Sequence, residues 1–437
     1  MVSPLELNLP LLALALVIGL SIAFITSVNV NFSLILLIVS MLFSPEIPLA
    51  RLSNRMVVLR LDDIILIFLF FTWFARMAIN KQLGLFAKNP VTRPLSFYVL
   101  AYVLATFAGI FFGLGKARFT TAFFYLLKYT EYLMLFVLVS NNIKSLKQCK
   151  MFTVFLLITA FFVCIYGYIQ IYSGVNRASA PFEGLKTEPN TLAGYLVVIM
   201  GLSGGLLIHA NSFKKRFLLS IFLLLIFPVF LYTLSRGGYI SFMAMYFVFI
   251  LTSKKKKIVM VYLIFVMILA LPFILPAKVA TRIEKTFKGK STYEVMGERL
   301  SLDEASAARI ETWKYVLDVF KRSPVFGFGA SGTEFIDTQY GTVLAETGIF
   351  GAVAFLALLS ALFKNSLRIY RGARDDFLEA ISLGFFCALS GVVVMGFGAN
   401  SFVIVRIMEP LLFLGAMVFA GSQVISGKTI KEDVLGT

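Results

Sequence analysis

The stretch SPVFGFGASGTEFIDTQYGTVLAETGIFG, residues 323–351, joins the longest polar segment of this chain to an apolar one. It completes a polar segment of about 62 residues, 277–338, and begins an apolar run over 339–364. Similar runs, of the roughly 17–25 apolar residues that a membrane span requires, recur along the rest of the chain. A chain that is otherwise buried in lipid or in a helix bundle keeps one large water-exposed segment. This segment is therefore the best indication of function.

The composition excludes a soluble globular domain, because 59% of the 437 residues are hydrophobic and only 14% are charged. Each long apolar run is expected to be helical, since lipid offers no partner for an unpaired backbone group. The predicted spans lie near residues 9–26, 29–45, 62–79, 95–114, 120–140, 150–172, 190–209, 216–234, 237–253, 256–276, 339–364, 378–398 and 401–421. Because the first two are short, the total is 12 or 13. We therefore expect an all-α polytopic membrane protein with 12–13 transmembrane helices and one large periplasmic loop.

The distribution of positive charge indicates which loops face the cytoplasm. The net charge of +17 is concentrated in short loops on one side of the membrane, the positive-inside pattern. These loops carry Lys144, Lys147 and Lys150, Lys214 to Arg216, Lys254 to Lys257, and Arg368, Arg371 and Arg374. The basic excess is thus expected to face anionic lipid, with membrane lipids and no nucleic acid as partners. Counting spans from Lys254 places 277–338 on the outer face, together with the loops 46–61, 115–119, 173–189 and 235–236.

Three parts of the chain follow from this topology. Residues 1–276 form an N-terminal transmembrane bundle, 277–338 the large periplasmic loop, and 339–437 the C-terminal transmembrane helices and a cytoplasmic tail. Within the loop, residues 301–304 resemble a capping box, and Ser323-Pro324 ends a helical pattern. The apolar positions of that pattern are Ala305, Ala308, Trp313, Val316, Leu317 and Phe320. We expect an amphipathic helix near 303–322 on the membrane surface, either an ordinary interfacial helix or a lid over a site.

Four of the arginines predicted on the outer face are candidates for binding substrate. Arg177 opens one outer loop, Arg236 stands at a span boundary before two glycines, and Arg299 and Arg309 lie in the large loop. Arginine binds phosphate through two parallel hydrogen bonds and stays charged, so these side chains suit a lipid-linked diphosphate. The alternative is that each arginine reaches the lipid headgroups along the membrane surface.

Other ionisable residues fall inside spans. Lys128 with Glu131, and Arg406 with Glu409, stand three residues apart, which favours paired structural charges. Glu346 has no such neighbour and is expected to point inward or into a polar cavity.

Asp337 is the candidate base. The chain has one histidine, His209, at a predicted cytoplasmic helix end, which makes an outer-face Ser-His-Asp triad or histidine zinc site implausible. The three cysteines are scattered and form no metal-binding pair. Asp337 lies at the junction of water and membrane, where partial desolvation raises a carboxyl pKa toward the range useful for general-base catalysis. The alternative is that Asp337 caps the next helix.

Several short motifs together resemble the bacterial O-antigen ligase and polymerase superfamily. The most informative is Asp337-Thr338-Gln339-Tyr340 followed by residues 344–351, LAETGIFG. The other matches, in chain order, are 60–63 (RLDD), 127–132 (LKYTEY), 177–182 (RASAPF) with 189–193 (PNTLA), 234–238 (LSRGG), and 309–313 (RIETW) with 323–329 (SPVFGFG). Each is weak alone, but six in this order over about 290 residues are a moderately specific signal.

The resemblance implies a membrane glycosyltransferase of the C-type architecture. Such an enzyme handles undecaprenyl-diphosphate-linked glycans, as donor and as acceptor, at the periplasmic face of the bacterial cytoplasmic (inner) membrane. Ligases of this family typically carry His-Asn where this chain has Asp337-Thr338. An aspartate here is more similar to the Wzy-type polymerases, which extend one lipid-linked repeat unit with another.

The reaction expected on this basis is an inverting glycosyl transfer without cofactor or metal. Asp337 would accept the proton of the attacking sugar hydroxyl, and Arg236 would stabilise the leaving diphosphate. The predicted substrate-binding residues are Arg177, Arg299, Arg309, Gln339 and Tyr340. A chain-length regulator protein is a further candidate partner. The alternatives are an O-antigen ligase that transfers glycan to lipid A-core, and a non-enzymatic flippase for lipid-linked sugars.

Overall fold

A computed structural model gives the structure of most of the chain. It describes residues 29–52, 55–79, 89–114, 119–183, 187–255, 291–295, 298–302 and 304–435, and the isolated positions 17, 21, 24 and 281. The described helices are α1 (Val30–Phe43), α2 (Leu61–Ile79), α3 (Thr92–Phe111), α4 (Phe119–Asn142), α5 (Leu146–Tyr172), α6 (Pro189–His209), α7 (Phe213–Tyr232), α8 (Arg236–Thr252), α9 (Glu304–Arg322), α10 (Gln339–Gly372), α11 (Asp376–Met395) and α12 (Val405–Leu435). Two antiparallel hairpins accompany them: β1 (Ile47–Leu52) with β2 (Arg55–Leu59), and β3 (Ser291–Val295) with β4 (Glu298–Leu302).

The protein is an all-α polytopic membrane protein, as the sequence predicts. Within the described ranges, eight helices are long and apolar enough to cross a membrane, namely α3 to α7, α10, α11 and the Val405–Gly427 part of α12. Helices α1 and α8 are apolar but shorter, at 14 and 17 residues. The predicted spans 9–26 and 256–276 lie largely or wholly outside the described residues, so the total of 12 or 13 stays a prediction.

The helix ends separate into a basic end and an opposite end. At the basic end, Lys255 Nζ lies 3.5 Å from a Glu379 carboxylate oxygen near the start of α11, and Lys254 Nζ donates to the Arg371 carbonyl at 3.1 Å. The C-termini of α6, α8 and α10 therefore meet the N-terminus of α11 there. The N-termini of these three helices consequently lie at the opposite end, with the C-terminus of α11. The structure thus separates the basic loops from Asp337, which directly precedes α10.

Small residues bring the two central helices together. A Cβ added at Gly205 of α6 would lie 2.2 Å from the Ala380 carbonyl oxygen of α11, and one at Gly201 would lie 2.7 Å from the Ala388 Cβ. Such small-residue contacts let membrane helices approach closely without a hydrophobic driving force between them. The α6–α11 pair therefore forms a rigid centre on which the loops of the opposite end are built.

The amphipathic helix is confirmed as α9. Val316 and Val319 pack against Ile336 and Ala345, whereas Leu317 is 51% exposed. The apolar positions of α9 thus divide between a side that packs on the segment before α10 and on α10 itself, and an exposed side that carries Leu317. That the exposed apolar side lies on the membrane surface stays a prediction. The two hairpins, in the loop 46–61 and in the large loop, were not predicted.

Candidate functional site

The corner before α10 holds Asp337 without using it as a helix cap. The N-cap is Thr338, whose side-chain oxygen accepts a hydrogen bond from the Gly341 amide at 3.1 Å. Asn400 fixes the same corner: its Nδ2 donates to the Ile336 carbonyl at 2.6 Å, and its Oδ1 accepts from the Thr342 hydroxyl at 2.9 Å. The capping alternative for Asp337 is thereby wrong, and its carboxylate is left for another role.

The environment of Asp337 suits a proton acceptor. Burial raises the pKa of this carboxyl to about 6. The negative charge of Glu188 also raises the pKa, whereas the positive charge of Arg309 lowers it. Among the described residues, none forms a hydrogen bond or ion pair with the Asp337 carboxylate. A carboxylate that is neither paired nor fully solvated, with a pKa near neutrality, is what general-base catalysis requires.

Asp337 lines a cavity of about 140 Å³ that is rich in carboxyl groups. Glu188, at the head of α6, and Glu346, within α10, lie in the same wall. The other lining residues are Tyr125, Tyr129, Thr333, Glu334, Phe335, Ile336, Thr342, Asn400, Val403 and Ile404. The prediction that Glu346 faces a polar cavity is confirmed. The lining comes from α4, α6, α10, the segment before α10 and the turn before α12, so the cavity is a junction of many elements.

A break in α10 shapes one side of this cavity. At Gly348 the backbone adopts φ 60° and ψ −157°, a conformation open almost only to glycine. The preceding turn, residues 324–332, exchanges backbone hydrogen bonds with the break. Gly329 N donates to the Glu346 carbonyl at 2.8 Å, and Ile349 N donates to the Pro324 carbonyl at 2.8 Å. In the same turn, Ser331 N donates to the Glu346 carboxylate at 2.9 Å, which fixes the direction of that side chain.

Arg309 connects the surface helix α9 to the site. Its Nη2 donates to the Gly398 carbonyl at 3.3 Å, and its charge acts on Asp337. Its Nε is buried and has no hydrogen-bond partner among the residues that the structure describes. Arg309 thus joins α9 to the turn before α12 and places a positive charge near the candidate base.

Arg236 lies at the same end of the bundle as Asp337. It is the first residue of α8, and the preceding Ser235 donates a hydrogen bond to the Asn190 side chain at 2.7 Å. Asn190 is in the first turn of α6, next to the Glu188 that lines the Asp337 cavity. Arg236 itself is not part of the cavity wall. Both predicted catalytic residues therefore occupy one end, joined through the head of α6.

The comparison with protein families adds independent evidence on identity. Residues 220–356 match the family model described as O-antigen ligase. The chain is thus similar to this family over that region. The match covers about a third of the chain, from α7 past the break in α10, and it includes Arg236, Arg309 and Asp337. No curated protein matches the chain.

This match confirms the resemblance to the O-antigen ligase and polymerase superfamily. Members of the family are membrane glycosyltransferase-like enzymes that handle lipid-linked glycans. The match supports, in broad terms, a function of the O-antigen ligase or polymerase type.

Three further predicted substrate-binding residues, Arg177, Gln339 and Tyr340, do not line the Asp337 cavity. Arg177 donates from Nε to the Thr233 carbonyl at 3.0 Å and from Nη2 to the Leu234 carbonyl at 3.3 Å, so it holds the turn that precedes Arg236. Gln339 is fully buried, and its side-chain oxygen accepts from the Phe402 amide at 3.0 Å. Tyr340 donates to the Val393 carbonyl at 2.6 Å. These contacts tie all three side chains to neighbouring backbone groups, and their roles in binding substrate stay predictions.

Arg299 can be located only by its backbone. It lies in β4, opposite Glu294 of β3 in the hairpin register. The structure does not describe the Arg299 side chain, so its predicted contact with substrate stays a prediction.

The charged pairs inside the bundle are only partly as predicted. Lys128 lies 3.1 Å from Glu131, as expected, and also 2.6 Å from Asp63. The predicted pairing of Arg406 with Glu409 is wrong. Arg406 instead pairs with Glu46 at 3.5 Å and donates to the carbonyls of four residues in the α1–β1 connection and the loop before α6, which are Leu42, Ser44, Pro181 and Phe182. Spacing within one helix cannot show that partners from other segments surround this guanidinium.

One buried group of carboxylates has the geometry to hold a metal ion. Oxygen atoms of Asp62, Glu131 and Glu409 lie within 4.8 Å of one another, and both Glu409 oxygens lack a hydrogen-bond partner among the described residues. Arg60 already lies 2.7 Å from Asp62, however, which places a fixed cation in this group. The expectation of a metal-independent enzyme stays a prediction.

Sequence reasoning missed Glu188, Asn400, Tyr125 and Tyr129 as cavity residues. Asn400 had a detectable signal, because Gly398-Ala399-Asn400-Ser401 interrupts two apolar runs with small and polar residues. The two tyrosines had none, since an aromatic residue in an apolar span looks the same whether it faces a cavity or the helix core.

Proposed function

We propose that the protein polymerises undecaprenyl-diphosphate-linked oligosaccharide repeat units by inverting glycosyl transfer. The proposal rests above all on Asp337, whose carboxylate lines a cavity, makes no hydrogen bond or ion pair to the described residues, and has a pKa raised by burial to about 6. The family match supports a reaction of the ligase or polymerase type. The aspartate at this position, where the ligases typically carry histidine, favours polymerisation.

In the proposed reaction, the acceptor sugar hydroxyl gives its proton to an Asp337 oxygen. The hydroxyl oxygen bonds to the anomeric carbon of the donor glycan from the face opposite the diphosphate. The bond between that carbon and the diphosphate oxygen breaks, and its electron pair leaves with the lipid diphosphate. Negative charge grows on this leaving group in the transition state. Guanidinium groups held near it before the reaction therefore lower the activation barrier. Arg309 and Arg236 are the candidates, and they would supply this charge without a metal.

The proposed location is the periplasmic face of the bacterial inner membrane. Support comes from the separation of the helix ends: the basic loops meet at one end, and the Asp337 cavity lies at the other. Since basic loops favour the cytoplasm, the cavity would open toward the periplasm. This is also where two lipid-linked glycans can meet with their sugars in water.

The test is the conservative substitution Asp337→Asn, with Asp318→Asn as matched control. Asp318 lies on α9 in the same outer segment, and its side chain is 66% exposed. Purified protein incubated with a lipid-linked repeat unit should form a ladder of polymers in the wild type and in Asp318→Asn, and only single repeats in Asp337→Asn. A normal ladder from Asp337→Asn would exclude this residue as the base.

A ligase is the second candidate, because the matching family model is described as O-antigen ligase. The same assay separates the two functions. A polymerase lengthens the glycan when lipid-linked repeats are the only substrate, whereas a ligase forms product only after lipid A-core acceptor is added.

A further inference from the structure

A second cavity adjoins the one that contains Asp337. It has a volume of about 340 Å³, within the range of small-ligand sites, and shares Tyr125, Glu188, Val403 and Ile404 with the first. Three glutamates and three cations also line it: Glu46, Glu183 and Glu188 with Arg60, Lys128 and Arg406. The two cavities are therefore neighbouring compartments of one site, with different charge patterns.

The cations of this second cavity are already engaged by the protein. Lys128 contacts Asp63 at 2.6 Å, and Arg60 donates from Nη2 to the Met41 carbonyl at 2.7 Å and contacts Asp62. Arg406 bonds four backbone carbonyls and pairs with Glu46. These positive charges are balanced locally, so they offer little attraction to a second anion such as a diphosphate.

The glutamates, by contrast, present acceptors to the cavity. Glu183 accepts from the Glu188 amide at 2.8 Å and hydrogen-bonds Thr191, and burial raises its pKa to about 7. The Glu188 carboxylate has no hydrogen-bond partner among the described residues. In the same wall, Arg406 is 1% exposed and its Nε lacks a partner within the described part of the chain. A ligand here must therefore donate hydrogen bonds to carboxylates.

We infer that this second cavity binds a neutral or cationic sugar of the acceptor glycan, next to the sugar whose hydroxyl faces Asp337. Hydroxyl groups both donate and accept, as the mixed wall of carboxylates, Thr191 and Arg406 requires. The Tyr125 ring, shared by both cavities, offers an apolar surface between them. Arg309, which does not line this second cavity and whose charge acts on Asp337, is the cation that the proposed function assigns to the diphosphate. The inference rests on the proposed function for the identity of its ligand.

The test measures binding of the acceptor sugar without its lipid. The probe is the repeat-unit oligosaccharide released by mild acid from the lipid-linked glycan of the source strain. Its dissociation constant is measured by titration calorimetry on the full-length protein in detergent micelles. Because a lost hydrogen bond to a charged group typically costs a factor of about 10 or more, Glu183→Gln should weaken binding by at least about tenfold. Thr191→Val, which keeps the side-chain shape, should weaken it in the same direction.

Glu311→Gln is the matched control, because Glu311 lies on the exposed side of α9 and its side chain is 58% exposed. It should bind the oligosaccharide as the wild type does, and Glu183→Gln should melt no lower than the wild type, because burial already raises the pKa of that carboxyl. Wild-type affinity in both Glu183→Gln and Thr191→Val, or no binding to the wild type, would overturn the inference. The inference would also be overturned if inorganic pyrophosphate competed with the oligosaccharide for the wild-type protein and Glu183→Gln abolished that competition.

The polymerisation assay keeps the two proposals distinguishable. If the oligosaccharide binds with this Glu183 dependence but no polymer forms, the proposed function fails and the sugar site stands. If polymer forms but binding is independent of Glu183, only the sugar site fails.

Discussion

Replacing Asp337 should stabilise the protein at neutral pH while abolishing its activity. Burial raises the pKa of this carboxyl from 3.8 to about 6, so between these two pH values the folded chain holds a proton that the unfolded chain has lost. Stability contributed by this group is therefore present below about pH 4 and is lost as the pH rises toward 6. Asp337→Asn removes the ionised carboxylate, so the gain should appear at pH 7 and vanish near pH 4.

The size of this effect follows from the shift. One pKa unit corresponds to about 1.4 kcal/mol, which sets an upper limit of about 3 kcal/mol for the cost of ionising Asp337 in the folded state. The side chain is only partly buried, and solvent at the cavity mouth screens part of this cost. We therefore expect Asp337→Asn to be more stable by about 1–2 kcal/mol at pH 7.

The assay is thermal unfolding of the purified protein in detergent micelles at pH 7 and near pH 4. Asp318→Asn is the control for a general effect of removing a negative charge, and it should change stability little at either pH. An Asp337→Asn variant that is less stable than the wild type at pH 7 would show that the carboxylate supports the fold. A gain that persists unchanged near pH 4 would show that ionisation is not its cause. Either result would refute the reasoning.

Three further predictions concern the surroundings of the site. In Arg309→Met, the rise of activity with pH should move upward by about one pH unit, because the charge that lowers the Asp337 pKa is gone; a pH–rate profile measures it. Gly348→Ala should destabilise the protein by about 3 kcal/mol in thermal unfolding, since its φ is 60° and its Cβ would lie 2.4 Å from a carbonyl oxygen, whereas Gly372→Ala, with open space, should not. Glu409→Gln should change the free energy of unfolding by no more than about 1 kcal/mol at pH 7, as measured by thermal unfolding. The reason is that two cations, Arg60 and Lys128, cannot balance four buried carboxyl groups, which are those of Asp62, Asp63, Glu131 and Glu409. A loss of stability above about 3 kcal/mol would instead show that Glu409 carries a buried charge.

The sequence was sufficient to predict most helices because membrane spans depend on length and hydropathy alone. The predicted spans 190–209, 120–140 and 237–253 correspond closely to α6, α4 and α8. The span at 401–421 was predicted to begin four residues before α12 does. Residues 402–404 are apolar and continue the pattern, but Asn400 and Ser401 before them bind the corner before α10 and Val392 of α11. Such tertiary contacts end a helix where hydropathy does not.

The candidate site was predictable in its residues but not in its connections. Asp337 and Arg309 stand out as charged residues in a polar segment beside a span, and the structure brings them together. The pairing of Arg406 with Glu46 joins residues 360 positions apart, so local spacing pointed to the wrong partner. The cap before α10 was displaced by a single residue, from Asp337 to Thr338, because either side chain satisfies the orphan amides of a helix start.

The break at Gly348 explains how an acidic cavity can extend into a membrane helix. A helix interrupted within the apolar layer leaves backbone groups unpaired, and lipid cannot satisfy them. The turn 324–332 supplies the partners instead, with hydrogen bonds of 2.8 Å from Gly329 to the Glu346 carbonyl and from Ile349 to the Pro324 carbonyl. A side chain at Gly327 would collide with the Glu346 backbone at 2.5 Å, so the close fit depends on glycine. The end of the polar segment, residues 324–332, is thus also the structural complement of the broken helix, and Gly327 permits the close approach of the two backbones.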